Sequence, residues 1–366
     1  MPSTTVAVAV TARTTVVGRP GTPTQARPED WHRISTPASS IGPWLPEGSL
    51  GTSLAEGLVR VEEALAAAVG SEHPFVREAA GHLMSAGGKR FRPMLTPLAA
   101  ELGDPRAPGV TEAAVVCELT HLATLYHDDV MDEAAVRRGA PSANSRWSNS
   151  IAILTGDLLF ARASDLLADL GPEAVRIQAR TFERLVTGQI RETVGAQAGD
   201  DPVAHYLEVL ADKTGSLVAT SARFGASFAG VDAEMVTALT AFGEEVGVAF
   251  QLSDDLLDIV SQDGASGKAP GTDLREGIAT LPALFALAGD DPAEQRLREL
   301  VSGPITDDTE HAEALEMLRS SAALQRATEV LREYADRAQT RLSGVPDGSV
   351  REALSALCEY VVTRTS

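Results

Sequence analysis

The sequence predicts an all-α protein, and three observations carry that expectation. Ala and Leu dominate, while Phe, Trp and Tyr together make up only 4% of the chain. Ala and Leu lose little on entering a helix, whereas strands draw on β-branched and aromatic residues. Long segments with apolar residues at helical spacing are divided by breakers: Gly103-Asp104-Pro105, Gly171-Pro172, Asp200-Asp201-Pro202 and Gly303-Pro304. No stretch alternates apolar and polar residues convincingly enough to read as a strand.

Taken in order, residues 1–50 stand apart. They are rich in Thr, Pro, Ser, Gly and Val, nearly free of acids before Glu29, and poorly periodic. Such a segment reads as a disordered tail. Arg13, Arg19 and Arg27 would suit a targeting peptide, but no apolar run is long enough for a secretory signal. Residues 51–366 read as one all-α domain. A helix opens around Leu54, and a buried one spans 112–133. Others span 151–170, 172–197, 205–229, 232–260 and 281–288, with several more toward the end. No linker-like gap divides them.

The formal net charge of -20 excludes nucleic acid as a partner, because no Lys/Arg stripe is available to displace counterions. No run of about 20 apolar residues predicts a transmembrane helix. Cys117 and Cys358 are too few for a disulfide framework and read as buried thiols in a reducing cytoplasm.

The chemistry sits in two acidic clusters. His121, Asp128 and Asp132 share one face of the 112–133 helix, with Asp129 beside them. Gln251, Asp254, Asp255 and Asp258 share one face of the 232–260 helix. Apolar residues surround both sets, unlike a solvated acidic stripe. Three carboxylates so placed either hold protons or gather cations. Hard oxygens on a rigid scaffold suit Mg²⁺, which accepts one or two carboxylates plus phosphate oxygens. Two such clusters facing each other would hold a diphosphate through shared metal, which reconciles an acidic protein with an anionic substrate. Cations flank them. Gly87-Gly88-Lys89-Arg90-Phe91-Arg92-Pro93 combines glycines that let backbone amides approach a phosphate with forked arginine donors. Arg137-Arg138-Gly139 follows the first cluster and fits a phosphate clamp or charge compensation. Lys213-Thr214-Gly215 and Gly267-Lys268 are weaker signals, each more often an ordinary glycine turn.

In this order and spacing the segments resemble the trans-isoprenyl (polyprenyl) diphosphate synthase family. His121 to Ala134 with Arg137-Arg138-Gly139 is similar to that family's first aspartate-rich motif. Phe250 to Asp258, then Gly267-Lys268, Gly271 to Gly277 and Thr280-Leu281-Pro282, is similar to the second, and Gly87 to Pro93 to the N-terminal basic motif. The resemblance covers residues from about 55 onward. It implies an isoprenoid synthase-type helical bundle around a deep central cavity, normally a homodimer. It implies that Asp128, Asp129, Asp132, Asp254, Asp255 and Asp258 hold Mg²⁺, about three ions with substrate bound. It further implies that Arg137, Lys213, Thr214, Gln251 and Lys268 contact an allylic prenyl diphosphate, that Lys89, Arg92, His121 and Arg138 hold isopentenyl diphosphate, and that Gln189 lines the site. One departure stands out: Ile278 occupies a position that is lysine in many members.

The resemblance also bears on product length. Bulky aromatics beneath the first cluster block chain growth in this family. Here Ala123 and Thr124 are small, which implies a product longer than farnesyl. Ala123→Phe is then expected to shorten it, with Tyr126 as a complication. A geranylgeranyl synthase is the alternative. A type I terpene cyclase would not need the isopentenyl diphosphate set. A non-catalytic partner subunit would be expected to lose aspartates that are all present here. An acidic metal-binding scaffold would show no turnover.

Overall fold

The computed structural model describes residues 48–261 and 270–365. In chain order its helices are α1 (Ser49–Ala68), α2 (Pro74–Ser85), α3 (Phe91–Ala100), α4 (Val110–Met131), α5 (Ala143–Arg146), α6 (Asn149–Leu170), α7 (Pro172–Val194), α8 (Pro202–Leu210), α9 (Ser216–Phe228), α10 (Ala233–Val260), α11 (Thr272–Glu276), α12 (Leu281–Ala288), α13 (Gln295–Leu300), α14 (Asp308–Arg319), α15 (Ala322–Arg341) and α16 (Ser349–Thr363). Most of the expected disordered tail lies outside the described residues, and α1 already begins at Ser49.

Helix starts follow local chemistry. Pro172 and Pro202 open α7 and α8, where a missing N–H costs nothing. Asp201, Asp232 and Asp307 accept backbone N–H bonds at the starts of α8, α10 and α14. Each such cap is worth about 1 kcal/mol.

Helix α4 is central because it is apolar on nearly all sides. Val115, Leu119, Leu122 and Ala123 pack with residues of α1, α2 and α6. Ala113, Val116 and Cys117 face Leu185 of α7 and Leu217 and Phe224 of α9. Tyr126 is fully buried; its hydroxyl donates to Ala79 O and accepts from Leu83 N, fastening α4 to α2. A second core gathers around α10, α12, α15 and α16. Close backbone approach joins α3 to α9: a Cβ on Gly225 would lie 2.0 Å from Thr96 O, so only glycine fits there.

Three departures from expectation matter for the site. Helix α4 stops at Met131, leaving Asp132 as its C-cap and Glu133 at φ 49°. A short hairpin follows, β1 (Val136–Arg137) pairing antiparallel with β2 (Ala140–Pro141). Its turn residues Arg138 and Gly139 both have positive φ, as a tight two-residue hairpin requires. Finally, the single helix expected over 205–229 is two helices joined by a π-helical turn, Ala211–Gly215.

Candidate active site

The first cluster occupies the last turn of α4. Burial pushes the Asp128 carboxyl up to about 6, against the opposing pull of Lys213 and with a further rise from Asp132. Asp129 is fully buried, and burial raises it too. Its Oδ1 accepts a 2.6 Å bond from Arg137 Nε, while Oδ2 is buried with no hydrogen-bond partner. Asp132 is exposed, 3.8 Å from Arg137 Nη2.

The second cluster lies near the end of α10. Asp254 Oδ1 takes both Lys89 Nζ and Arg364 Nη1 at 2.7 Å. Asp255 accepts from the Tyr206 hydroxyl and, at 2.9 Å, from Gln251 Nε2; burial pushes it up to about 7. Asp258 does a different job. Its two oxygens accept the backbone amides of Thr272 and Asp273 at 3.2 and 3.1 Å, closing the start of α11. The six aspartates are therefore not equivalent. Among the described residues no three acidic, His or Cys side chains converge on one point. An ion held here needs oxygens from a bound anion as well. The donor set is all oxygen, and Asp129 Oδ2 lacks a partner, so the residues present fit a hard cation.

Cations interleave with these acids. Lys89 reaches Asp254, and Arg137 reaches Asp129. Arg92 Nε is buried without a partner, a donor left for a ligand. Burial, then Arg92 and Arg138, hold His121 well below the usual imidazole range. Helix α7 approaches the π-turn at Gly188, where a Cβ would lie 2.7 Å from Lys213 N. Lys213 in turn donates to Glu192 of α7. Thr214 hydrogen-bonds Gln251 at 3.4 Å, linking the π-turn to α10. Gln189 Oε1 is buried and unpartnered. Lys268 lies outside the described residues.

The pair assigned to product length divides. Thr124 is half-buried and shares Asp128's helical face, whereas Ala123 is fully buried in the core packed against α6. A Cβ on Gly156 of α6 would stand 3.0 Å from Ala123 O, so α6 leaves no room there. Tyr126 points toward α2, which removes it as an obstruction. Ile278 is 47% exposed. Three residues here escaped the sequence reading. Tyr206 and Arg364 are far in sequence from the acids they hold. Glu118, paired with Arg90 of the basic loop, is a buried acid in the apolar middle of α4, and its apolar neighbours in sequence were its signal.

Residues 73–318 match the Polyprenyl synthetase family. Nonaprenyl diphosphate synthase of Mycobacterium tuberculosis is 49% identical over 333 residues, 90% of this chain and 99% of that protein. The chain belongs to the polyprenyl synthetase family. Its enzyme class, prenyltransferase, comes with that membership. Heptaprenyl diphosphate synthase component 2 of Geobacillus stearothermophilus is 38% identical, covering 85% of this chain and 97% of that protein. The crystal structure of geranylgeranyl pyrophosphate synthase from Corynebacterium glutamicum, complexed with calcium and isoprenyl diphosphate, superimposes with a TM-score of 0.79 and 46% identity, covering 88% of this chain and 99% of that one. The helical bundle is thus that of the polyprenyl synthetases. Among the described residues no helix is long and apolar enough to cross a membrane.

Proposed function

We propose that the protein condenses an allylic prenyl diphosphate with isopentenyl diphosphate, head to tail (1′-4), to give an all-trans polyprenyl diphosphate longer than farnesyl. The observation that carries this reading is the interleaving of cations with the two acid clusters. Lys89 of the basic loop sits 2.7 Å from Asp254, and Lys213 of the π-turn acts on Asp128. Such an arrangement of charges suits two diphosphates and a divalent cation better than either alone.

Asp128, Asp132 and Asp254 would hold Mg²⁺, about three ions with substrate bound, with Asp129 available through its free oxygen. Bound Mg²⁺ supplies Lewis-acid neutralisation of a departing diphosphate. Asp255 and Asp258 act mainly by fixing α10 against Tyr206 and α11. Arg137, Lys213, Thr214 and Gln251 bind and orient the allylic diphosphate, with Gln189 lining the site. Lys89, Arg92, His121 and Arg138 hold isopentenyl diphosphate. The allylic C1–O bond breaks with its electron pair leaving on diphosphate. The isopentenyl double bond attacks that C1 through C4, and a C2 proton then leaves to the released diphosphate. Fixed donors stabilise the leaving charge, and stacked Phe91 and Phe250, 4.5 Å apart, keep water from one wall.

The small Thr124 supports a product longer than farnesyl, and the 49% identical relative is named a nonaprenyl synthase. Ile153 and Leu154 of α6 and Ile190 and Val194 of α7 are large apolar residues left exposed on neighbouring helices. A second copy of the chain is their proposed cover, giving a homodimer. Free, buried Cys117 and Cys358 support a cytoplasmic setting.

The test is direct. Purified protein with Mg²⁺, isopentenyl diphosphate and each allylic starter should yield prenyl diphosphates longer than farnesyl by reversed-phase chromatography, and EDTA should abolish them. No elongation from any starter would overturn the reading.

A further inference from the structure

We infer that Glu118, a buried carboxylate on α4 outside both aspartate clusters, is a positioning residue that holds Arg138 and the 87–92 loop in the geometry that receives isopentenyl diphosphate. This rests on the assignment of Arg92, His121 and Arg138 to that substrate.

The Glu118 side chain is only 3% exposed. Its Oε1 accepts from Arg90 Nη1 at 3.1 Å and lies 3.9 Å from Arg138 Nη2. Arg90 is committed inward. Its Nε pairs with Glu62 at 2.6 Å, and its Nη2 donates to Met84 O at 3.1 Å. Of the three cations between 89 and 92, Arg90 is thus a brace and not a substrate contact. Arg138 reaches back over the same loop, donating to Leu83 O at 3.0 Å and to Gly87 O. It lies so close to Gly88 that a Cβ there would meet its guanidinium carbon at 2.8 Å. Arg90 and Arg138 both have left-handed backbone, φ 47° and 54°, conformations that persist only where surroundings impose them. Both side chains converge on one carboxylate.

Charge explains why a carboxylate is needed. Arg90, Arg92, Arg137 and Arg138 crowd around His121 and repel one another. Glu118 offsets that repulsion from the buried side, so it does not occupy the face a diphosphate would approach. Its charge also attracts Arg92, whose buried Nε has no hydrogen-bond partner. A neutral isostere would keep the shape but release the arginines from their anchor.

The experiment compares Glu118→Gln and Glu118→Asp with wild type in steady-state kinetics, varying each substrate in turn, with isothermal titration of isopentenyl diphosphate alone. For Glu118→Gln the expected result is a rise of about tenfold or more in KM and Kd for isopentenyl diphosphate. The allylic KM should stay within about twofold, and Glu118→Asp should recover part of the loss. An unchanged KM for isopentenyl diphosphate, or equal losses for both substrates, overturns the inference. Should Glu118→Gln fail to fold by circular dichroism, Arg90→Lys cuts the same tie while keeping the charge. The same selective rise is then expected, and its absence is equally fatal. A wild-type protein that elongates nothing sinks the synthase reading instead, so the two failures are distinguishable.

Discussion

Thr124 stands one helical turn beneath Asp128, with its hydroxyl turned back to His121 O at 2.9 Å. That bond fixes the side chain on the face that carries Asp128. Ala123 has no access to that face. A phenylalanine at 124 is therefore expected to project beneath the allylic site and shorten the product, read as earlier elution of dephosphorylated product on reversed-phase chromatography. Unchanged length would remove 124 from the path of the chain. Ala123→Phe is instead expected to overpack α4 against α6, costing about 1–3 kcal/mol in denaturant unfolding. The sequence located the acids because helical phase is a local property. It could not apportion their work, because that depends on partners distant in the chain. Asp255 is held by Tyr206 and Asp254 by Arg364, contacts spanning 49 residues and running to the last helix. Asp258 shares its neighbours' helical face, but its work is set by the start of α11, whose backbone amides it accepts.

At the scale of elements, the helices were legible where caps, prolines and glycines end them, and α12 matches its expected span of 281–288. The π-turn was not. Its sequence, Ala211 to Gly215, carries only the signal of an ordinary glycine turn, and one extra residue in a helical turn leaves no mark on composition. The short hairpin was equally hidden, being too brief to alternate. The π-turn is nonetheless what aims Lys213, and it is wedged between two close approaches. Gly188 of α7 presses on Lys213 N, and on the other side a Cβ on Gly247 of α10 would lie 3.0 Å from Gly215 Cα. Neither wall can retreat without moving Lys213. Gly188→Ala is expected to displace the turn and lower kcat/KM for the allylic substrate by about 10- to 100-fold, since small misplacements of a charge-positioning group are costly. Little change in kcat/KM would show that α7 yields and that the turn holds its own shape.

At the scale of the whole molecule, a chain with a formal net charge of -20 holds two of its site carboxylates, Asp128 and Asp255, only partly open to solvent. Burial raises Asp128 to about 6 and Asp255 to about 7, above their ordinary value of 3.8. Between those limits the folded chain binds more protons than the unfolded one. Linkage then requires stability to fall as pH rises through that window, and the contribution to be lost above pH 7. General repulsion in an acidic protein acts in the same direction, so the slope alone does not identify its source. Asp255→Asn does, because the amide cannot ionise while it can still meet Tyr206 and Gln251. In EDTA, the melting temperature of wild type is expected to drop between pH 5 and pH 8. Asp255→Asn should flatten part of that drop and melt at least ~2 °C above wild type at pH 8, where 1 kcal/mol corresponds to about 2–4 °C or less for a domain of this size. Mg²⁺ with inorganic diphosphate should stabilise wild type more at pH 8 than at pH 6, because ionised carboxylates are what a cation binds. Parallel melting curves for the two proteins across pH would mean that Asp255 does not titrate in this range and that the slope belongs to the surface.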